Sequence, residues 1–154
     1  LGGAAIDVFP EEPRANGDPF DSPLATLDNV ILTPHIGGST EEAQYDIGRF
    51  VAAKIGEYQA SGSTDMSVNL PNLTMNIGKR SRYRVRLIHR NVPGVMARVN
   101  QIFASSEANV DAQILATVDE VGYVLTDISA GLGREALEEL SHLPETVRLI
   151  ATPL

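Results

Sequence analysis

The side chain best placed to do acid–base chemistry in this chain is His35, within residues 33–40 (TPHIGGST). Residues 29–33 form a short, β-branched apolar run that is typical of a strand buried on both faces. Pro34 ends that strand, and residues 39–42 (STEE) predict a capping box that opens a helix. The histidine therefore lies at the carboxyl end of a strand, where α/β sheets bind ligands. An ordinary loop histidine is the alternative.

A second chemical group lies in residues 6–13 (IDVFPEEP), which predict a short strand leading into an acidic, proline-rich turn. A histidine acting as a general base needs one ring nitrogen free for the proton and the other held by an acceptor. Glu12 is our candidate for that acceptor. Gly37 and Gly38 allow backbone angles and close approaches denied to other residues. The sequence thus predicts a His35–Glu12 pair held on a glycine-containing loop.

Together with residues 28–30, these segments resemble the NAD-dependent D-2-hydroxyacid dehydrogenases over about the first 60 residues. Within that family the GGST form is most similar to the members that oxidise 3-phosphoglycerate at the start of serine synthesis. The resemblance implies that His35 is the catalytic acid/base and that Glu12 is its partner. It also implies that NAD contacts Asp7, His35, Gly37 and Gly38. The two glycines fall where the chain bends between the cofactor and substrate domains in members of the family.

Several parts that the resemblance requires do not occur in the sequence. There is no Gly-x-Gly-x-x-Gly fingerprint, no acidic ribose ligand after it, and no counterpart of the family's substrate-binding arginine. We therefore expect the chain to begin inside a longer protein. On its own it should neither bind NAD nor turn over substrate.

The composition is typical of part of a cytoplasmic enzyme. Of 154 residues, 43% are hydrophobic and 21% charged, enough for one ordinary domain or a small domain plus a remnant. The absence of cysteine excludes disulfides and thiolate metal sites, and we predict no metal. No apolar run approaches the roughly 18 residues of a membrane-spanning helix, so we predict no membrane partner.

The net charge of −8 is unevenly distributed. Residues 1–78 carry eleven acidic side chains against three basic ones, whereas residues 79–154 carry nine of each sign. Such a change marks a domain boundary, and residues 61–65 (SGSTD) and 70–72 (LPN) have linker chemistry. We predict a dehydrogenase remnant over 1–62, a linker over 63–80 and a second domain over 81–154.

The remnant should end in one helix with a buried apolar face. Its members recur at spacings of three and four residues and are Ile47, Phe50, Val51, Ile55 and Tyr58. In the family this helix returns the chain to the substrate domain. Here we expect it to dock on another copy or on the following domain, or not to pack stably.

The second half predicts the order βαββαβ over about 72 residues. The strands are expected near 82–90, 110–118, 124–130 and 147–151, and the helices after Pro93-Gly94 and over 134–142. Both helices should pack on one face of an antiparallel sheet, which is the α+β ferredoxin-like fold. Because so small a domain is marginal alone and has open strand edges, we predict a homodimer.

With residues 89–95 (HRNVPGV) at its first strand-to-helix junction, this arrangement resembles the ACT domain, a regulatory module that binds amino acids. The resemblance implies L-serine as the effector, a dimer through this domain and a tetramer at full length. The implied contacts are His89, Asn91, Val92, Pro93 and Gly94, with Asn109 reaching in from the neighbouring subunit.

The chemistry of these residue types suits serine, which carries a carboxylate, an ammonium group and a hydroxyl. Backbone amides at the helix start can hold a carboxylate, and asparagine amide groups both donate and accept. Local caps or turns remain the alternative for Asn91 and Asn109, and a core position remains the alternative for His89.

Two other functions share the βαββαβ order. RNA-binding RRM domains have it, and residues 79–90 concentrate basic side chains, with Tyr83 and Tyr123 available to stack on bases. However, residues 122–125 (GYVL) do not complete the RRM motif. We expect the arginines to be solvated or to pair with acids elsewhere in a longer protein, and we predict no nucleic-acid partner. An effector-free dimerisation module is the other alternative.

Overall fold

A computed structural model describes residues 1–15 and 17–154, which divide into two compact units, Leu1–Ala52 and Ala53–Leu154. The first unit contains two short parallel strands, β1 (Ala4–Ile6) and β2 (Val30–Leu32), paired from Ala4↔Val30 to Ile6↔Leu32. The predicted burial of β2 on both faces is wrong, because Ile31 is 66% exposed. Since β1 and β2 form only a two-stranded sheet in the part of the chain described, Ile31 has no covering layer.

Helix α1 (Glu41–Ser61) follows the His35 loop and crosses the boundary between the two units. Thr40 is its N-cap: the Thr40 Oγ1 accepts the Ala43 N–H at 3.1 Å. The predicted capping box is therefore only half correct, because the third helical residue is an alanine and returns no bond. Of the five residues predicted for the apolar face, Tyr58 packs against the cluster of Leu73, Tyr123 and Leu125, whereas the other four are about half exposed, namely Ile47, Phe50, Val51 and Ile55.

The second unit has the predicted βαββαβ order. Its elements are β3 (Tyr83–Arg90), α2 (Val95–Ser105), β4 (Val110–Val118), β5 (Val121–Ile128), α3 (Arg134–His142) and β6 (Thr146–Pro153). The sheet is antiparallel with the order β4-β5-β3-β6, so β5 and β3 are central and β4 and β6 are edges. The predicted fold class is confirmed.

Helices α2 and α3 pack on one face of this sheet, as predicted. The core between them and the sheet includes Leu87, Val99, Val124 and Leu140, each at most 1% exposed. This burial follows from strand alternation in β3 and β5 and from three-and-four spacing in the helices. Val147 of the edge strand β6 is 65% exposed.

The opposite face of the sheet is also covered. Leu73 packs with Tyr123 and Leu125 of β5, and the Thr64 N–H donates to the Leu73 carbonyl at 2.8 Å. The Thr64 hydroxyl donates to the carbonyl of Pro71 at 2.6 Å. Residues 63–75 of the expected linker are thus held against the sheet, while the domain boundaries at 62 and 80 stay a prediction.

Beneath this cover lies a buried ion pair between adjacent strands. The Arg84 Nε and Nη2 donate to the two carboxylate oxygens of Asp127 at 2.6 and 2.8 Å, and both side chains are at most 1% exposed. The Arg84 Nη1 donates to the carbonyls of Ser61 and Met75. The expectation that the arginines are solvated or pair elsewhere is wrong for Arg84 and for Arg86, which is 5% exposed. Their partners lie far away in sequence.

No helix in the described residues is both long enough and apolar enough to span a lipid bilayer.

Replacing Asp127 by alanine should destabilise the chain by about 3–5 kcal/mol, because it leaves the Arg84 guanidinium buried without its counter-ion. Urea unfolding followed by circular dichroism measures the change. The control is Asp111→Ala on the exposed edge strand β4, expected to stay within about 0.5 kcal/mol of wild type. Equal effects of the two substitutions would contradict the assignment of a buried pair.

Candidate functional site

The loop that carries His35 is fixed by one carboxylate. Asp7, just after β1, accepts hydrogen bonds from the Thr33 hydroxyl at 2.6 Å and from the backbone N–H groups of Ile36 and Gly37 at 2.9 and 2.7 Å. The Thr33 bond, then the two backbone bonds, lower the pKa of Asp7. Asp7 therefore positions the loop from both sides of the histidine. A nicotinamide contact by Asp7, Gly37 or Gly38 stays a prediction.

The two glycines of the loop differ in their steric environment. A Cβ on Gly37 would lie 2.9 Å from the Asp7 Oδ2, whereas a Cβ on Gly38 would meet nothing closer than 3.7 Å. Close approach thus requires glycine at position 37 only. Neither glycine has a positive φ, so neither uses the unusual backbone angles that glycine allows. The left-handed residue is His35 itself, with φ 53°.

Glu12 lies against the imidazole of His35, as its proposed role requires. The His35 Nδ1 is 2.8 Å from the Glu12 Oε2, and the other oxygen of Glu12 accepts the Phe9 N–H at 3.0 Å. Because a carboxylate only accepts, Nδ1 carries the proton and the Nε2 is the basic nitrogen. The hydrogen bond and charge of Glu12 raise the pKa of His35, and the same bond lowers the pKa of Glu12.

The pair opens into a cavity of about 380 Å³ within the first unit. Its apolar wall includes Phe9 and Phe20, whose rings meet edge to face at 4.8 Å between centroids. Arg14 also lines it. Sequence reasoning missed Phe20 and Arg14, although a lone cation in an acidic segment was a usable signal. The arrangement places an imidazole whose side chain is 53% exposed beside a cavity with a partly apolar wall.

The second candidate site centres on His89 at the end of β3. Its Nδ1 is 2.9 Å from the Arg90 carbonyl and must donate to it, which leaves the Nε2 as an acceptor. The side chain is 1% exposed, and the buried Nε2 has no hydrogen-bond partner among the described residues. The ring lies on Gly122 of β5, where a Cβ would be 2.2 Å from the His89 Cε1. An effector contact by His89 stays a prediction.

The junction after His89 offers backbone donors. Asn91 donates to the carbonyls of Asp119 and Glu120 through its side chain and its N–H, respectively, which ties it to the β4–β5 turn. Gly94 is the N-cap of α2, with φ 85° and no side-chain hydrogen bond to the helix start. Val92 is 41% exposed. The structure thus brings His89, Asn91 and the segment 92–94 together around an uncapped helix N-terminus.

Asn109 lies elsewhere in the same chain. It precedes Val110, which pairs with Ile128, whereas His89 pairs with Gly122 at the other end of β5. Gly122 and Ile128 are six positions apart in β5, about 20 Å at the usual rise per residue. The Asn109 Nδ2 donates to the Asp111 carboxylate at 3.0 Å. One chain alone therefore cannot bring Asn109 to His89.

Other kinds of site find less support. Across residues 1–15 and 17–154, no group of three His, Cys, Asp or Glu residues could hold a metal ion. Of the side chains that an RNA surface would use, Arg84, Arg86 and Tyr123 are all buried. The observation that prompted the RNA alternative therefore does not hold for these three residues.

Comparison with known families gives two matches. The family described as the D-isomer specific 2-hydroxyacid dehydrogenase, NAD binding domain, matches residues 1–37. The AHAS small subunit-like ACT domain matches residues 85–148. The first match contains His35 and Glu12, and the second contains His89 and Asn109.

Curated relatives match almost the whole chain. D-3-phosphoglycerate dehydrogenase of Escherichia coli (strain K12) is 49% identical over 151 residues, covering 96% of this chain and 36% of that protein. The enzymes of that name from Haemophilus influenzae and Dictyostelium discoideum are 45% and 43% identical over 148 residues, with the same coverage. The chain thus spans about a third of these relatives and corresponds to their C-terminal portion. The resemblance predicted from the motifs is confirmed.

Replacing Glu12 by glutamine should lower the pKa of His35 towards its ordinary value, because the amide removes the negative charge that stabilises the imidazolium. Titrating the His35 ring protons by NMR in both chains measures this, with the ring of His142 in α3 as the reference signal in each spectrum. An unchanged His35 titration would contradict the Glu12 contact.

Proposed function

We propose that this chain is the C-terminal part of an NAD-dependent D-3-phosphoglycerate dehydrogenase whose ACT domain binds L-serine and inhibits the enzyme. The observation that carries the catalytic half is the His35–Glu12 pair at 2.8 Å on a loop fixed by Asp7. The relatives' shared name supplies the substrate. The whole enzyme would act in serine synthesis in the cytoplasm.

The chemistry proposed for His35 is proton abstraction from the C2 hydroxyl of 3-phosphoglycerate. When bound, NAD⁺ supplies the acceptor for the hydride that leaves C2 as the carbonyl forms. The His35 Nε2 takes the hydroxyl proton, and Glu12 stabilises the resulting imidazolium through Nδ1. In this chain Asp7 holds the loop on both sides of His35, which lines the cavity. The residues that bind most of NAD would come from the rest of the longer protein.

The regulatory half of the proposal rests on the unpartnered Nε2 of His89. A buried imidazole acceptor near a helix start without a side-chain cap suits a zwitterion, because it can accept from the ammonium or hydroxyl group while amides at the start of α2 hold the carboxylate. Asn91, Val92, Pro93 and Gly94 form the rim of this site. A ligand with both kinds of group satisfies atoms that are otherwise left without partners.

Asn109 fits the proposal if a second copy supplies it. Strand β4, at whose start it lies, is an edge strand with exposed apolar residues, namely Val110, Ile114, Leu115 and Val118. Pairing of such an edge with another copy would cover these side chains and its unpaired backbone groups. We propose a homodimer through the ACT domain, with Asn109 of each copy completing the site of the other, and a tetramer at full length.

Isothermal titration of this chain with L-serine tests the regulatory half, with D-serine and L-leucine as ligand controls and the solution mass measured in parallel. Saturable binding of L-serine to a dimer is expected. His89→Leu, which keeps the volume but removes the acceptor, should weaken binding at least about tenfold, the value of one lost hydrogen bond. His142→Ala is the matched control and should bind as wild type.

Equal affinity of His89→Leu and wild type would place the effector elsewhere. A folded dimer that gives no heat with any of the three amino acids would contradict the effector assignment and leave a dimerisation module.

A further inference from the structure

The sheet face opposite α2 and α3 carries buried polar side chains that neither proposed site uses. They are Arg84 and Arg86 of β3 and Tyr123 of β5, which are 1%, 5% and 0% exposed. All three direct donors at backbone carbonyls near the end of α1. Apolar side chains could fill the same volume, so the buried guanidinium groups indicate a role beyond packing.

The two guanidinium groups donate to backbone carbonyls in the last turn of α1. The Arg86 Nη1 donates to the carbonyls of Tyr58 and Gln59 at 2.7 and 3.3 Å, and the Arg84 Nη1 donates to the carbonyl of Ser61 at 2.6 Å. The last four carbonyls of an α-helix have no partner within it and form the negative end of its dipole. The two guanidinium groups therefore bond three of these four carbonyls and oppose the negative end of the dipole, although the Tyr58 carbonyl also accepts the Gly62 N–H at 2.9 Å.

The turn that follows the helix leaves no space between chain and sheet. Gly62 has φ 75°, and its carbonyl accepts the Tyr123 hydroxyl at 2.8 Å. A Cβ at this position would lie 2.6 Å from the Arg86 Cδ and 2.9 Å from the Tyr123 hydroxyl. Lys54 adds a second tie, since its ammonium group contacts Asp65 at 2.7 Å, beyond the turn. The helix end and the turn are thus held by packing as well as by hydrogen bonds.

Strand β3 connects this arrangement to the proposed effector site. Alternation puts His89 on the α2–α3 face of the strand and Arg84 and Arg86 on the other. Arg86 and His89 are three residues apart, about 10 Å along the strand. Because β3 is bonded on both sides, to β5 and β6, it can shift only together with its neighbours.

We propose that Arg84, Arg86 and Tyr123 form a clamp that fixes the last turn of α1 to the four-stranded sheet. This clamp is also the connection through which an effector at His89 acts on α1, a role that rests on the proposed function. Moving the end of α1 away from the sheet would leave the buried guanidinium groups without these acceptors. The end of α1 therefore moves together with the sheet.

Hydrogen exchange on this chain tests the clamp without any effector. In wild type the amides of residues 58–64 should be protected to the same order as those of β3. Arg86→Met keeps the side-chain length but removes the donors and should speed exchange at 58–64 at least about tenfold, with β3 unchanged. The matched control is Arg82→Met, an exposed arginine four residues earlier, which should behave as wild type. Unchanged exchange in Arg86→Met would overturn the clamp.

Serine inhibition of the full-length enzyme tests the connection. Arg86→Met should bind L-serine within about twofold of wild type while the concentration for half-inhibition rises at least about tenfold, because binding and inhibition are uncoupled. Inhibition equal to wild type would overturn the connection. If Arg86→Met does not fold, Tyr123→Phe, which removes only the hydroxyl bond to Gly62, takes its place in both measurements with the same expected directions.

The failure of the proposed function has a different signature. A wild-type enzyme that L-serine neither binds nor inhibits refutes the effector assignment, whereas the exchange rates at 58–64 still decide the clamp.

Discussion

The second unit depends on keeping one buried guanidinium group paired. Arg84 lies between the carboxylate of Asp127 and the carbonyls of Ser61 and Met75, with almost no contact with water. Removing a charge from water costs several kcal/mol, and only good geometry with additional hydrogen bonds offsets that cost. The position of Arg84 therefore fixes three things at once: the register of β3 on β5, the end of α1 and the path of the segment near residue 75. The sheet becomes the middle of three layers.

The first unit uses the same principle with the charges reversed. There the fixed group is the carboxylate of Asp7, which collects three donors from residues 33–37. These hydrogen bonds offset the cost of the left-handed conformation of His35, and Glu12 orients its imidazole. Carboxylates hold a reactive side chain in one unit, and guanidinium groups hold a helix end in the other. In both cases polar groups satisfy backbone atoms that a loop or helix terminus leaves unpaired.

Residue types and periodicity predicted much of this arrangement. Alternation of apolar residues gave all four strands of the second unit, and the helix from Arg134 to His142 matches its predicted bounds. The pairing of His35 with Glu12 followed from what a general base needs. These features depend on short segments whose chemistry can be read locally.

The features that were missed depend on contacts between distant residues. Arg84 and Arg86 alternate with apolar residues, which is the pattern of a strand with one solvated face. They are buried because residues 58–75 cover them. Arg84 also pairs with Asp127, which lies 43 positions later on β5, the neighbouring strand in the sheet. Similarly, nothing in residues 6–8 indicates that the Asp7 carboxylate folds back onto the loop at 33–37. The capping residues at positions 39–42 predict where α1 begins. They cannot predict that most of the helix has few neighbouring residues.

The two faces of the second unit are proposed to be coupled, so that a ligand bound at His89 on one face changes the environment of the end of α1 on the other. An NMR titration of this chain with L-serine measures this coupling. We expect saturable shifts of the amides of residues 89–94 and, at the same serine concentrations, of the amides of Gln59 and Gly62. Saturable shifts confined to residues 89–94, with Gln59 and Gly62 unmoved, would contradict it.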